Sequence, residues 1–275
     1  MHVDRSERRG FLGELASQWR WRMGWTLSLV FAPITGCQLM LREPQVPMPR
    51  HEYPYQAGER QSRLLVFLPG RGDRPEQFEE EGLLADLRAQ NARVDVWAVD
   101  AHLNYYYQRV IGERLRADVL EPARALGYDE IYVLGISLGG LGALMYEKEY
   151  GPAWDGMILL APYVGTEKEL YRQLQAEGPE NWTPPEDMTW DQFQYQLWSW
   201  LRLFRVEADQ RPPVWLGVGD DDRFRPYIDV FAQLLPPERV YREPGAHRWS
   251  VWRQLWKEIL PATPLVLKEE PVDTP

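Results

Sequence analysis

A chain of 275 residues, 44% hydrophobic and 26% charged, is long enough for one domain with a full core. Its formal net charge of -10 argues against nucleic acid as a partner, because phosphate backbones are gripped by clustered Lys and Arg. Four His, a single Cys and no HExxH or CxxC spacing provide neither a compact metal-ligand set nor a cofactor motif, so no metal and no cofactor is expected.

The first apolar run, residues 23–37, follows Arg20 and Arg22 and ends in Ile34-Thr35-Gly36-Cys37. At about 15 residues it is shorter than the roughly 18–20 that cross a bilayer as a helix. Basic residues, a short apolar stretch and small residues before a cut site are the parts of an export signal. The last four residues resemble the lipobox of bacterial lipoproteins. That resemblance implies removal of residues 1–36, acylation of Cys37, and attachment to a membrane of the bacterial cell envelope through the acylated N-terminus. Gln38 stands where the inner-membrane retention signal has Asp, which implies the outer membrane, facing the periplasm. Asp4, Glu7, Glu14 and Pro33 depart from the pattern, and an uncleaved anchor is the alternative.

Residues 37–62 contain Pro44, Pro47, Pro49 and Pro54, which disfavour helix and remove ladder donors. They read as a tether with an edge strand near its end. From residue 63 to about 260, short apolar runs alternate with amphipathic helical stretches. Strands are expected at 64–68, 94–99, 131–134, 157–160, 214–218 and 239–241, and helices at about 76–91, 108–126, 138–150 and 250–260. Apolar strands separated by helices predict a mostly parallel sheet covered on both faces. Residues 165–211 interrupt the alternation with a helical insertion holding Trp182, Trp190, Trp198, Trp200 and Phe204. An insertion of that length over a sheet end reads as a lid, with most of its tryptophans packing its own core. Residues 261–275 form a C-terminal tail.

The chemistry concentrates in three places. Gly135-Ile136-Ser137-Leu138-Gly139 leaves a strand and opens a helix, a turn that lifts a serine oxygen to the sheet edge and needs small residues on either side. A serine hydroxyl is a weak nucleophile and needs a neighbouring base. Of the four histidines, His2 lies in the signal and His51 in the tether. His247, in the loop between the last strand and the last helix, reaches the same sheet edge as Ser137. His102 follows an earlier strand and reads as a substrate contact or a structural residue. An acid must orient the base, and Asp220-Asp221-Asp222 leaves a strand ahead of His247.

The order Ser137, Asp, His247 resembles that of the α/β-hydrolases, and residues 63–260 are similar to that family throughout. The resemblance implies an α/β-hydrolase fold with a lid insertion. It selects Asp222 through the Gly-x-x-Asp turn, with Asp221 in reserve. It implies an oxyanion hole from the amide of Leu138 and, in the loop Leu68-Pro69-Gly70-Arg71-Gly72-Asp73, the amide of Arg71; many members carry His-Gly where this chain has Pro69-Gly70. The expected activity is acyl transfer to water from a small-molecule ester or lipid. The alternatives are a thioesterase, amidase or acyltransferase on the same scaffold, or a non-catalytic binding lipoprotein.

Overall fold

The computed structural model describes residues 42–189 and 191–266; Cys37, the expected signal and Trp190 lie outside them, and so does most of the expected tail. Seven strands form one sheet in the order β1-β3-β2-β4-β5-β6-β7. They are β1 (Arg50–Tyr53), β2 (Arg63–Leu68), β3 (Asp95–Val99), β4 (Glu130–Ile136), β5 (Gly156–Leu160), β6 (Val214–Gly219) and β7 (Val240–Glu243). All neighbours run parallel except β1, which lies antiparallel on β3 with Arg50 opposite Val99. The parallel interior explains the apolar runs: β3, β5 and β6 are buried at every residue, because helices cover both faces. Each fully buried Leu, Val or Ile in those strands contributes about 1.5–3 kcal/mol. The edge strand β7, by contrast, is half-buried along its length.

The helices are α1 (Gln77–Glu80), α2 (Leu83–Ala89), α3 (Leu103–Tyr107), α4 (Ile111–Leu115), α5 (Glu121–Ala125), α6 (Leu138–Tyr150), α7 (Lys168–Glu177), α8 (Phe193–Leu201), α9 (Leu203–Val206), α10 (Arg225–Ala232) and α11 (Trp249–Ile259). One turn of π-helix, Arg116–Leu120, joins α4 to α5, so the long helix expected there exists with a bulge in it. The helix expected over 76–91 is broken in two, because Gly82 takes a φ of 86° between α1 and α2. In α11, Val251, Trp252, Leu255, Trp256 and Ile259 share one buried face, which packs on β5, β6 and β7. On the same face, Phe67 stacks on Phe78 at 4.5 Å and meets Trp256 edge-on at 6.4 Å.

The stretch read as a tether is laid on this body from residue 42 onward. Arg42 forks onto both oxygens of Asp100 at 2.8 and 2.9 Å. Met48 is buried, and its amide donates to Asp118 Oδ2 at 2.9 Å. Tyr55 and Gln61 donate backbone N–H groups to the two oxygens of buried Asp95. The edge strand lies at Arg50–Tyr53, in the middle of the stretch rather than near its end. These prolines do not free the chain; carboxylates far away in sequence fix it.

The insertion packs largely as expected. Trp182, Trp198, Trp200 and Phe204 are buried, and the Trp198 indole donates to the Val164 carbonyl and to Tyr171 Oη, both at 3.0 Å. Its helices rest on α6, through α8, and on α10, through α7.

Candidate active site

Parallel strands present all their C-terminal ends at one edge, and the loops that leave β2, β4, β6 and β7 there carry Arg71, Ser137, Asp222 and His247. Ser137 sits between β4 and α6 with φ 50° and ψ -106°, a backbone region that costs a non-glycine residue about 1–3 kcal/mol. The turn is possible because its flanks lack side chains. A Cβ on Gly135 would come within 2.7 Å of the Gly139 carbonyl, and one on Gly139 would run into the carbonyl of Leu68. The Ser137 amide donates to Leu160 at 2.9 Å and its carbonyl accepts from Tyr163 at 2.9 Å, so both neighbouring segments hold the bend. The N-terminus of the thirteen-residue α6 lies directly after Ser137, where a helix favours negative charge.

His247 joins the other two members. Its Nε2 lies 2.9 Å from Ser137 Oγ and its Nδ1 lies 2.7 Å from Asp222 Oδ2. The Asp222 side chain is 0% exposed against 12% for His247, so the acid is shielded from water and the base is partly open. The remaining carboxylate oxygen of Asp222 accepts from the Phe224 amide at 2.8 Å. Rings pin the imidazole: Phe224 at 5.1 Å and Trp252 at 5.0 Å, both edge-on. The loop that carries His247 is tied to the acid turn, because Asp220 and Asp221 donate their amides to the carbonyls of Glu243 and Gly245. Asp221 itself is exposed, and Asp220 lies 3.5 Å from Arg225. The geometry thus joins Asp222, not its reserve, to the histidine.

The loop after β2 brings the Arg71 amide to the same edge. Asp73 closes that loop: its amide donates to the Gly70 carbonyl at 3.1 Å and its Oδ1 accepts from the Trp249 indole at 3.1 Å. Burial pushes the Asp73 carboxyl up from its ordinary value, against the pull of the Trp249 and Gly70 N–H groups that it accepts from. Among the described residues, no hydrogen bond uses the amide of Leu138 or of Arg71.

A hollow of about 470 Å³ opens over Ser137, lined by Arg71, Asp73, Arg223, His247, Arg248, Trp249 and Trp252. No described residue of the insertion 165–211 is among the lining, so the tryptophans at the cleft come from α11 instead. His102 does not line it either. That residue caps α3, its ring nitrogen accepting from the Asn104 amide, and packs against Tyr105 at 4.5 Å. Burial and then the Arg42 charge hold its imidazole below the ordinary histidine range. Sequence reasoning missed Asp73, Arg248, Trp249 and Trp252 as cleft residues. Adjacency was the available signal: Arg248 and Trp249 follow His247 directly, and Trp252 is one helical turn further on.

No curated protein matches the chain. Among solved structures, the chain is similar to a ferulic acid esterase, at 15% identity, 79% of this chain and 91% of that one, with a TM-score of 0.55. It is also similar to the S-formylglutathione hydrolase of Staphylococcus aureus, at 15% identity, 79% and 83% coverage and a TM-score of 0.51. A third likeness is to the fluorophosphonate-binding serine hydrolase F of Staphylococcus aureus, at 14% identity, 81% and 100% coverage and a TM-score of 0.51. At these identities the likeness is one of fold. The family model described as the alpha/beta hydrolase family matches residues 65–273, and over that span the chain belongs to the α/β-hydrolase family.

Proposed function

We propose that this chain is a carboxylic ester hydrolase with Ser137 as nucleophile, His247 as general base and Asp222 as the acid that orients it. The observation that carries this reading is the histidine bonded on both sides, 2.9 Å to the serine hydroxyl and 2.7 Å to a buried carboxylate. Asp222 holds Nδ1 as the protonated nitrogen and leaves Nε2 free to accept. The Ser137 Oγ–H gives its proton to Nε2 as Oγ bonds to the ester carbonyl carbon. The oxyanion then formed is received by the amides of Leu138 and Arg71. Collapse breaks the bond to the alcohol, which leaves with the proton from Nε2. Water, deprotonated by the same nitrogen, attacks the acyl-enzyme and releases the acid. Acylation at Cys37 would bring lipid or acylated envelope esters within reach, an address supported by the sequence motif.

The test is hydrolysis of 4-nitrophenyl esters of short and long chain by wild type and Ser137→Ala. The variant is expected to lose at least about 10³-fold in kcat with its circular dichroism unchanged. Unchanged turnover in the variant overturns the nucleophile assignment.

A further inference from the structure

The three arginines around the hollow set it apart from the rest of this acidic chain. Elsewhere on the molecule guanidinium groups are commonly matched: Arg42 with Asp100, Arg114 with Asp118, Arg225 with Asp220 and Asp229. With 41 acidic residues against 31 basic ones, partners are not scarce. Yet Arg71, Arg223 and Arg248 are all exposed at the mouth over Ser137, and among the described residues none of them forms an ion pair.

The carboxylates nearby do not serve them. Asp222 is taken by His247 and the Phe224 amide. Asp73 accepts from the Trp249 indole and the Gly70 amide, and its burial disfavours the charge that would attract a guanidinium. Arg223 is also held in place, its guanidinium 4.8 Å above the Phe224 ring that meets His247 edge-on. The cluster draws on three loops, those after β2, β6 and β7, so their cationic groups converge from separate parts of the chain.

We infer that the substrate of this hydrolase is an ester bearing a negative charge, a carboxylate or a phosphate, which Arg71, Arg223 and Arg248 receive beside the reacting carbonyl. The inference rests on the hydrolase reading above. Planar guanidinium groups suit both anions, since each offers paired oxygens to a fork of N–H donors. Trp249 and Trp252, 5.5 Å apart and edge to face, give the uncharged part of the same molecule an apolar wall. The overall charge of -10 adds a second expectation: anionic esters are repelled by the bulk of the surface and favoured only at this mouth.

Two matched pairs of esters test this, with released acid titrated at low and at high salt. Monobutyrin is set against 1-butyrylglycerol 3-phosphate, and dimethyl adipate against monomethyl adipate. In at least one pair, the anionic member is expected to exceed its neutral parent in kcat/KM by about tenfold, the equivalent of one charged hydrogen bond. The lead should lie mainly in KM and shrink in high salt. It should also shrink in Arg223→Gln with Arg248→Gln and reverse in Arg223→Glu, all exposed positions whose folding circular dichroism checks. Which pair responds separates phosphate from carboxylate. Neutral parents hydrolysed as well as both anionic esters, with the turnover lost in Ser137→Ala, would overturn the inference and leave the hydrolase standing. A preference unaltered by the arginine variants overturns it too. Labelling of Ser137 by a fluorophosphonate without turnover of either anionic ester counts against the inference alone. Absence of both labelling and turnover removes the hydrolase reading and the inference with it.

Discussion

Three consecutive aspartates leave β6, and a difference of one residue decides which of them meets His247. Only Asp222 is folded under the turn, its amide on the Gly219 carbonyl and its Oδ1 receiving the Phe224 amide, so that Oδ2 faces His247. Asp222→Asn keeps the oxygen that Phe224 needs but offers an N–H to Nδ1, which favours the wrong imidazole tautomer. Turnover of a 4-nitrophenyl ester is expected to fall about 10⁴-fold. Asp221→Asn alters an exposed carboxylate and is expected to stay within about twofold, the range of a surface change worth under 0.5 kcal/mol. A large loss in Asp221→Asn with Asp222→Asn near wild type would return the choice to Asp221. At this scale the sequence was legible because each site residue sits beside a strand end that its neighbours announce: Gly135 and Gly139 flank Ser137, and the loop Pro244-Gly245-Ala246 precedes His247. The aspartates were ambiguous because three identical residues differ only in how the turn buries them.

At the scale of elements, strands and helices followed from apolar periodicity, and the departures come from single backbone or charge effects. Gly82 divides one expected helix, and buried Asp95, Asp100 and Asp118 secure the proline-rich stretch through partners 34 to 70 residues away, a distance at which no local pattern speaks. Glu147 acts in the same way between α6 and β5: it is 3% exposed, and its Oε2 accepts from the amides of Ala153 and Trp154. Burial pushes its carboxyl up from the ordinary 4.5 despite those two N–H groups, whose bonds favour the charge. A raised folded value means the native chain holds the proton more tightly than the unfolded one. Native stability therefore falls as the pH climbs from 4.5 through the raised value, and stays lower above it. Gln at this position keeps an oxygen for both amides and never ionises. Glu147→Gln is expected to lie near wild type in the acid range and to become the more stable of the two toward neutral pH, measured as urea midpoints across a pH series. A gap that does not widen with pH would mean the buried carboxylate carries no electrostatic cost.

For the whole molecule, the α/β architecture was readable because parallel strands buried on both faces must be apolar, and helices must separate them. The placement of residues 165–211 was not, since apolar helices pack equally well over a cleft or on α6 and α10. The envelope address proposed for this chain rests on Cys37. Cys37→Ser is expected to abolish incorporation of labelled palmitate and to move the protein from the membrane to the soluble fraction, with hydrolytic activity retained. Palmitate incorporation that persists in the variant would refute acylation at this residue.

The bond between Ser137 and His247 closes a loop of 110 residues, and the base arrives only with the last strand of the sheet. Synthesis proceeds from the N-terminus, so a growing chain can complete β4 and the serine turn long before β7 exists. Until the final segment emerges and pairs with β6, the hydroxyl has no proton acceptor and the acid turn has no loop to brace. If His247 is the base, as proposed, the chain is expected to stay inert until β7 is in place. On the proposed triad, reactivity of Ser137 toward a fluorophosphonate is expected to appear only once β7 has paired with β6 and brought His247 to the serine.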